Sequence, residues 1–136
     1  MRKVLRISCT GVSLFLAVIL YACGPIKEPQ MEQGGLYTVE DGEGTFRPAK
    51  ILAFDSSVVH LRLYCNTLSY RPDTIVADTL RLVAYPGEQA AREHFPVSRQ
   101  LFLFWLPEHV GFDSVRTDER ELVKEWEGSE RVVVGE

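Results

Sequence analysis

Residues Val58 to Tyr64 read VVHLRLY, and this run constrains the fold more than any other stretch. On an extended backbone Val59, Leu61 and Leu63 point one way, and His60, Arg62 and Tyr64 the other. Such alternation predicts a strand with one face on a core and the other largely wet, the habit of antiparallel sheets. The preceding residues repeat the pattern. Leu36 to Val39 starts a first short strand. Asp41 to Gly44 (DGEG) is a hairpin turn. Arg47 to Phe54 forms a second strand, with Pro48 near its start, where a missing donor is tolerated. Asp55 to Ser57 (DSS) is a tight connection.

Downstream the signals are shorter. Asn66 to Thr79 is a long excursion, and Thr79 to Val83 alternates again until Pro86-Gly87 breaks it. Gln89 to Phe95 fits a helical turn. Leu101 to Trp105 (LFLFW), bounded by Pro107, is most simply a buried strand. Asp118 and Glu121 have capping-box spacing. They open a helix with Leu122, Val123 and Trp126 on one face, ended by Gly128. Arg131 to Val134 adds a last edge strand. Successive short strands with one late helix predict a mainly β fold: a small antiparallel barrel, or a strongly bent sheet, with one C-terminal helix.

The first 22 residues differ from this body. Arg2, Lys3 and Arg6 precede an apolar run of about 15 residues from Ile7 to Tyr21. That is the length of a signal-peptide core and short of the roughly 20 residues that span a bilayer. The run ends in Leu20-Tyr21-Ala22-Cys23, which resembles the lipobox of bacterial lipoproteins. The resemblance implies a diacylglyceryl group on the Cys23 thiol, cleavage between Ala22 and Cys23, and further acylation, such as palmitate, at the new N-terminus. Two or three acyl chains anchor stably where one does not. The membrane lipid on Cys23 is thus the first expected partner; the alternatives are an uncleaved N-terminal membrane helix with Cys23 a bystander, or plain secretory cleavage. Gly24 follows, where an aspartate commonly retains Gram-negative lipoproteins in the inner membrane. Its absence implies the outer membrane, or the outer face of the cell membrane in a Gram-positive cell. Residues 24–35 (GPIKEPQMEQGG) are too polar to order themselves. The expected organisation is a signal peptide over 1–22, a lipidated flexible tether over 23–35, and a β-rich domain over 36–136.

Without the signal peptide, 12 of the 15 basic residues remain against 19 acids, a net charge of about −7. An acidic body offers no electrostatic footprint for nucleic acid. Cys65 is then the one thiol left beside the lipidated cysteine, so no internal disulfide forms, and its place at the end of an apolar strand predicts a buried, inert group.

The body also resembles a group of small uncharacterised bacterial proteins that look like Tudor or SH3 barrels. The shared positions are Lys50, Ile51, Leu52, Val58, His60, Arg62, Tyr64, Arg71, Pro72, Pro96, Ser98, Trp105, Pro107, Glu121, Leu122 and Trp126. That resemblance implies the fold and no activity.

No motif for catalysis stands out. DGEG would repel phosphate, and HExxH and CxxC are missing. His60, His94 and His109 lie far apart, so no metal or other cofactor is expected. The serines lack a nucleophile elbow. Asp118/Glu119 and Glu125/Glu127 read as solvated helix charges. Two candidate recognition surfaces remain. One is the polar row His60, Arg62 and Tyr64, whose plainer alternative is a cross-strand ladder with acids such as Glu40. The other is an aromatic groove drawn from Tyr37, Tyr64, Tyr70, Phe95 and Trp105. The expected function is a non-enzymatic binding module of the envelope, taking an envelope protein or peptide. Alternatives are an immunity-type protective lipoprotein, or a periplasmic hydrolase using His60 or His94 with an acid.

Overall fold

The computed structural model describes residues 28–42 and 44–135. The expected signal peptide over 1–22, with Ala22, and the expected lipid site Cys23 lie outside the described residues. Among the described residues, no helix is long and apolar enough to cross a membrane.

Five strands form one antiparallel sheet: β1 (Gly35–Glu40), β2 (Phe46–Phe54), β3 (Val58–Leu63), β4 (Arg92–Ser98) and β5 (Glu108–Phe112). Their order is β4-β3-β2-β1-β5. Consecutive strands pair from β1 to β4, and β5 returns to the free side of β1. The sheet does not close, so the chain takes the bent-sheet form of the two expected. Register shifts at Leu36/Tyr37, Ile51/Ala53 and Leu61/Leu63 mark irregularities. Such bulges sharpen local twist and bend the strands. Two helices follow late in the chain, α1 (Arg99–Phe104) and α2 (Thr117–Glu127).

The two hairpin connections form as the sequence predicts. Gly42 and Gly44 adopt φ of 82° and 74° in the β1–β2 turn, values open to glycine at no steric cost. Asp55 Oδ1 accepts from the backbone N–H of Ser57 (2.7 Å) and Val58 (2.8 Å), reversing the chain between β2 and β3.

One sheet face carries the apolar core, with Tyr37, Val39, Ala49, Ile51, Val59, Leu61, Leu63 and Val97 packed against Phe102 of α1. Tyr37 and Phe102 meet edge to face at 5.9 Å. The second face was expected to be wet and is not: every residue of β3 is buried. α2 packs over β2 and β4 on that side. Farther along, Ile75, Ala77 and Leu80 of the excursion cover Leu36, Tyr64 and Val110.

Several local expectations are corrected. Leu101–Trp105 is not a strand; it is the end of α1, capped by Ser98 Oγ, which accepts from Leu101 N (3.2 Å). Gln89–Phe95 is not helical, because Arg92 already belongs to β4. Thr79–Val83 pairs with no strand: Arg81 is held by Asn66 Oδ1 (2.8 Å) and Cys65 N (3.0 Å). β5 was not anticipated. α2 opens at Thr117, and Glu119 Oε2, not Glu121, accepts from the backbone N–H of Arg116 (2.9 Å). Val134 makes a single parallel bridge to Val97 in place of an edge strand. Residues 30–35, expected within a flexible tether, are held against the sheet. Tyr37 Oη donates to Gln30 O (2.8 Å) and accepts from Glu32 N (3.0 Å), while Gly34 N donates to Ile51 O (2.8 Å). Met31 packs on the core. Gln30 to Gly35 is therefore part of the domain.

Candidate functional site

Lys50 and Arg62 are register partners across β2 and β3, two cations side by side on the covered face. Bringing them together unpaired would be prohibitive. α2 supplies the remedy. Glu119, fully buried, places Oε1 2.7 Å from Arg62 Nη1 and Oε2 2.9 Å from Lys50 Nζ. Asp113, just after β5, adds Oδ2 at 2.6 Å from Lys50 Nζ. Arg62 Nε also donates to Glu93 O (3.2 Å). Among the described residues no buried side-chain nitrogen or oxygen lacks a hydrogen-bond partner.

His60 extends this row. Its ring stacks on His94 with centroids 5.2 Å apart and meets the edge of Trp126 at 4.7 Å. His60 Nδ1 and His94 Nε2 lie 2.9 Å apart, so one ring donates to the other. Burial pushes both imidazoles below their ordinary range. His94 falls to about 4, with the neighbouring His60 adding to the effect of burial. Burial, reinforced by the charge of Glu119, raises the Tyr64 phenol to about 12.

The predicted recognition row is thus brought together but closed. His60, Arg62 and Tyr64 are 4%, 3% and 6% exposed, because α2 and the excursion cover them. They present no open face to a partner. The acid that answers Arg62 is Glu119, not Glu40, whose carboxylate lies 3.8 Å from Arg71. Glu119 is thus a buried ion-pair partner and not the solvated helix charge that its sequence context predicts. His109 stands apart from the other histidines, against Glu32 (3.3 Å) and Tyr37. Among the described residues, no three His, Cys, Asp or Glu side chains are grouped to hold a metal ion. Cys65 is buried, its Sγ donating to Arg81 O.

An open cleft of about 590 Å³ lies elsewhere, between the β1–β2 hairpin and the end of α1. Phe95 and Trp105 line it, stacked at 6.2 Å and 15°, with the Arg92 guanidinium 5.0 Å from the Phe95 ring centre. Trp105 is fixed by the turn that ends α1, where its carbonyl accepts from Glu40 N (2.9 Å). Arg47, buried, binds Tyr64 O, Ala90 O and Gln89 Oε1 and so holds the residues just before β4 as one wall. Burial lowers its pKa, and the nearby Asp41 charge works against that. Glu40 and Asp41 line the cleft too, and Phe104, 79% exposed, stands among its lining residues. Of the aromatic set expected in a groove, Phe95 and Trp105 reach the cleft. Tyr37 and Tyr64 are buried in the sheet, and Tyr70 is exposed outside the cleft. Sequence reasoning missed Phe104, Arg47 and Arg92. The LFLFW run carried the signal for Phe104, since its helical period turns Phe104 away from Phe102.

No protein-family model matches the chain, and no curated protein or solved structure matches it significantly.

Proposed function

We infer that the chain is a membrane-anchored envelope lipoprotein, held by lipid on Cys23, whose domain is a non-catalytic binding module. The observation that carries the reading is the Phe95–Trp105 cleft with Phe104 exposed beside it. Its volume falls within the range of ligand sites, and its make-up is that of such sites: aromatic surface with a few charged groups that orient what enters. Arg47 and Arg92 offer positive charge, and Glu40 and Asp41 negative charge. An extended peptide suits this arrangement, with an apolar side chain on the aromatic stack and charged groups along the walls. Outer-membrane placement in a Gram-negative cell, or the outer face of a Gram-positive one, follows from Gly24 at the position after the lipid.

Phe104 is a clean test because its exposure lets it change without loss of core packing. Crosslinked envelope from cells making Phe104→Ser or Arg92→Glu protein is expected to yield at least about tenfold less partner than wild type, with an unchanged Tm. Equal capture would refute the cleft as the partner face. Incorporation of labelled palmitate is expected in wild type and not in Cys23→Ser; label retained in the variant would refute the anchor.

A further inference from the structure

Lys50 is fully buried, and its ammonium is held on three sides. Asp113 Oδ2 lies at 2.6 Å, Glu119 Oε2 at 2.9 Å and the Ser114 carbonyl at 3.0 Å. Three acceptors engage all three ammonium protons, so the nitrogen is fixed in place. The Asp113 carboxyl carbon is bonded to Oδ2, so it lies within about 4 Å of Nζ, close to the separation that intramolecular attack needs. Glu119 has no exposure and is tied to Arg62, whereas the Asp113 side chain keeps 28% of its surface in water. Asp113 is therefore the carboxyl from which a small product has a way out.

We propose that Lys50 and Asp113 join through an intramolecular amide bond, with Glu119 as the catalytic base, tying β2 to the segment after β5. A proton first passes from Nζ to the Asp113 carboxylate across the 2.6 Å contact. The exchange frees the nitrogen lone pair and leaves a carboxyl group for it to attack. The nitrogen lone pair then attacks the carboxyl carbon and forms the N–C bond. The positive charge that develops on nitrogen faces the Glu119 carboxylate, which takes a proton from it. Glu119 returns that proton to the leaving hydroxyl, the C–O bond breaks, and one water departs on the exposed side of Asp113. Nothing is oxidised or reduced, and no co-reactant enters. One cation and one anion vanish together, and Glu119 remains paired with Arg62.

The other lysine among the described residues shows why position matters. Lys124 meets Glu121 at 2.8 Å, but both side chains are more than half exposed, so the contact is open to water. The ion pair Arg81–Glu88 uses a guanidinium, which stays protonated and is no nucleophile. Among the described residues, only at Lys50 do a nucleophilic nitrogen, burial and a second carboxylate coincide.

Mass spectrometry of the purified full chain, intact and after trypsin, decides the matter. The wild type is expected to lack one water, about 18 Da, and to give a branched peptide joining Lys50 to Asp113, with no cleavage after Lys50. Lys50→Arg preserves the charge and is expected to show its full mass. Asp113→Asn is expected to form the same link with loss of ammonia, ending at the wild-type linked mass. Glu119→Gln is expected to stay unlinked in chain that circular dichroism shows to be folded. A wild-type chain of full mass that trypsin cuts after Lys50 overturns the proposal, however the variants behave.

Discussion

Lys50 and Arg62 stand opposite each other on β2 and β3, and the carboxylate of Glu119 lies between them. Without that carboxylate Arg62 could not be buried as a cation, nor Lys50 be carried in before its amide forms, since an unpaired charge in the interior costs several kcal/mol. Glu119→Ala removes it and is expected to destabilise the domain by about 3–5 kcal/mol, the usual cost of breaking a buried pair from one side. Urea denaturation at neutral pH measures this directly. A loss under about 1 kcal/mol would mean that water reaches the cluster. The alternation in VVHLRLY made this face legible as polar, but polarity was not the same as exposure. His60, Arg62 and Tyr64 found partners far away in sequence, and no local pattern reports a carboxylate that arrives from a later helix.

At the scale of elements, the first three strands and both of their turns were readable because their signals are local: period-two alternation, DGEG and DSS. The last helix was readable as well, though its start lies nearer to Thr117 than the Asp118–Glu121 spacing suggested. The LFLFW run was not, because a five-residue apolar stretch fits a buried strand and a short helix equally well. The deciding feature was Ser98, which caps α1. The cleft shared this fate: Trp105 was a candidate from the start, but Phe104 beside it depended on the run being helical. The turn after α1 carries Leu106 at φ 49°, a left-handed conformation that a branched residue rarely adopts. Leu106 is 57% exposed, so little packing offsets the strain. Leu106→Gly is expected to raise stability by about 0.5–1 kcal/mol, the left-handed penalty less the flexibility glycine adds to the unfolded chain. A higher denaturant midpoint with an unchanged slope would show it; a lower midpoint would mean that the Leu106 side chain contributes contacts worth more than the strain.

For the molecule as a whole, stability is expected to depend on acidity through the His60–His94 pair. Both imidazoles have folded-state values below the ordinary 6.5, His94 at about 4. Between those values the unfolded chain binds more protons than the folded one. Stability is therefore full above about pH 6.5 and declines as the pH falls toward 4. Denaturant midpoints at pH 7, 6 and 5 should descend in that order, and His94→Gln should make the descent shallower. An unchanged slope in the variant would assign the acid sensitivity to other groups. Both borders of the sheet are also occupied by the chain's own irregular segments. Along β4, Val134 donates to Pro96 O (3.1 Å) and accepts from Ser98 N (2.8 Å), and Pro96 has no N–H to offer. Along β5, Ile75 N donates to Val110 O (2.8 Å). A visiting strand finds no vacant berth at these points, so recruitment by backbone zippering is blocked there. Copies that meet edge to edge are kept from stitching their sheets into a shared ribbon, and any partner would have to be chosen by its side chains.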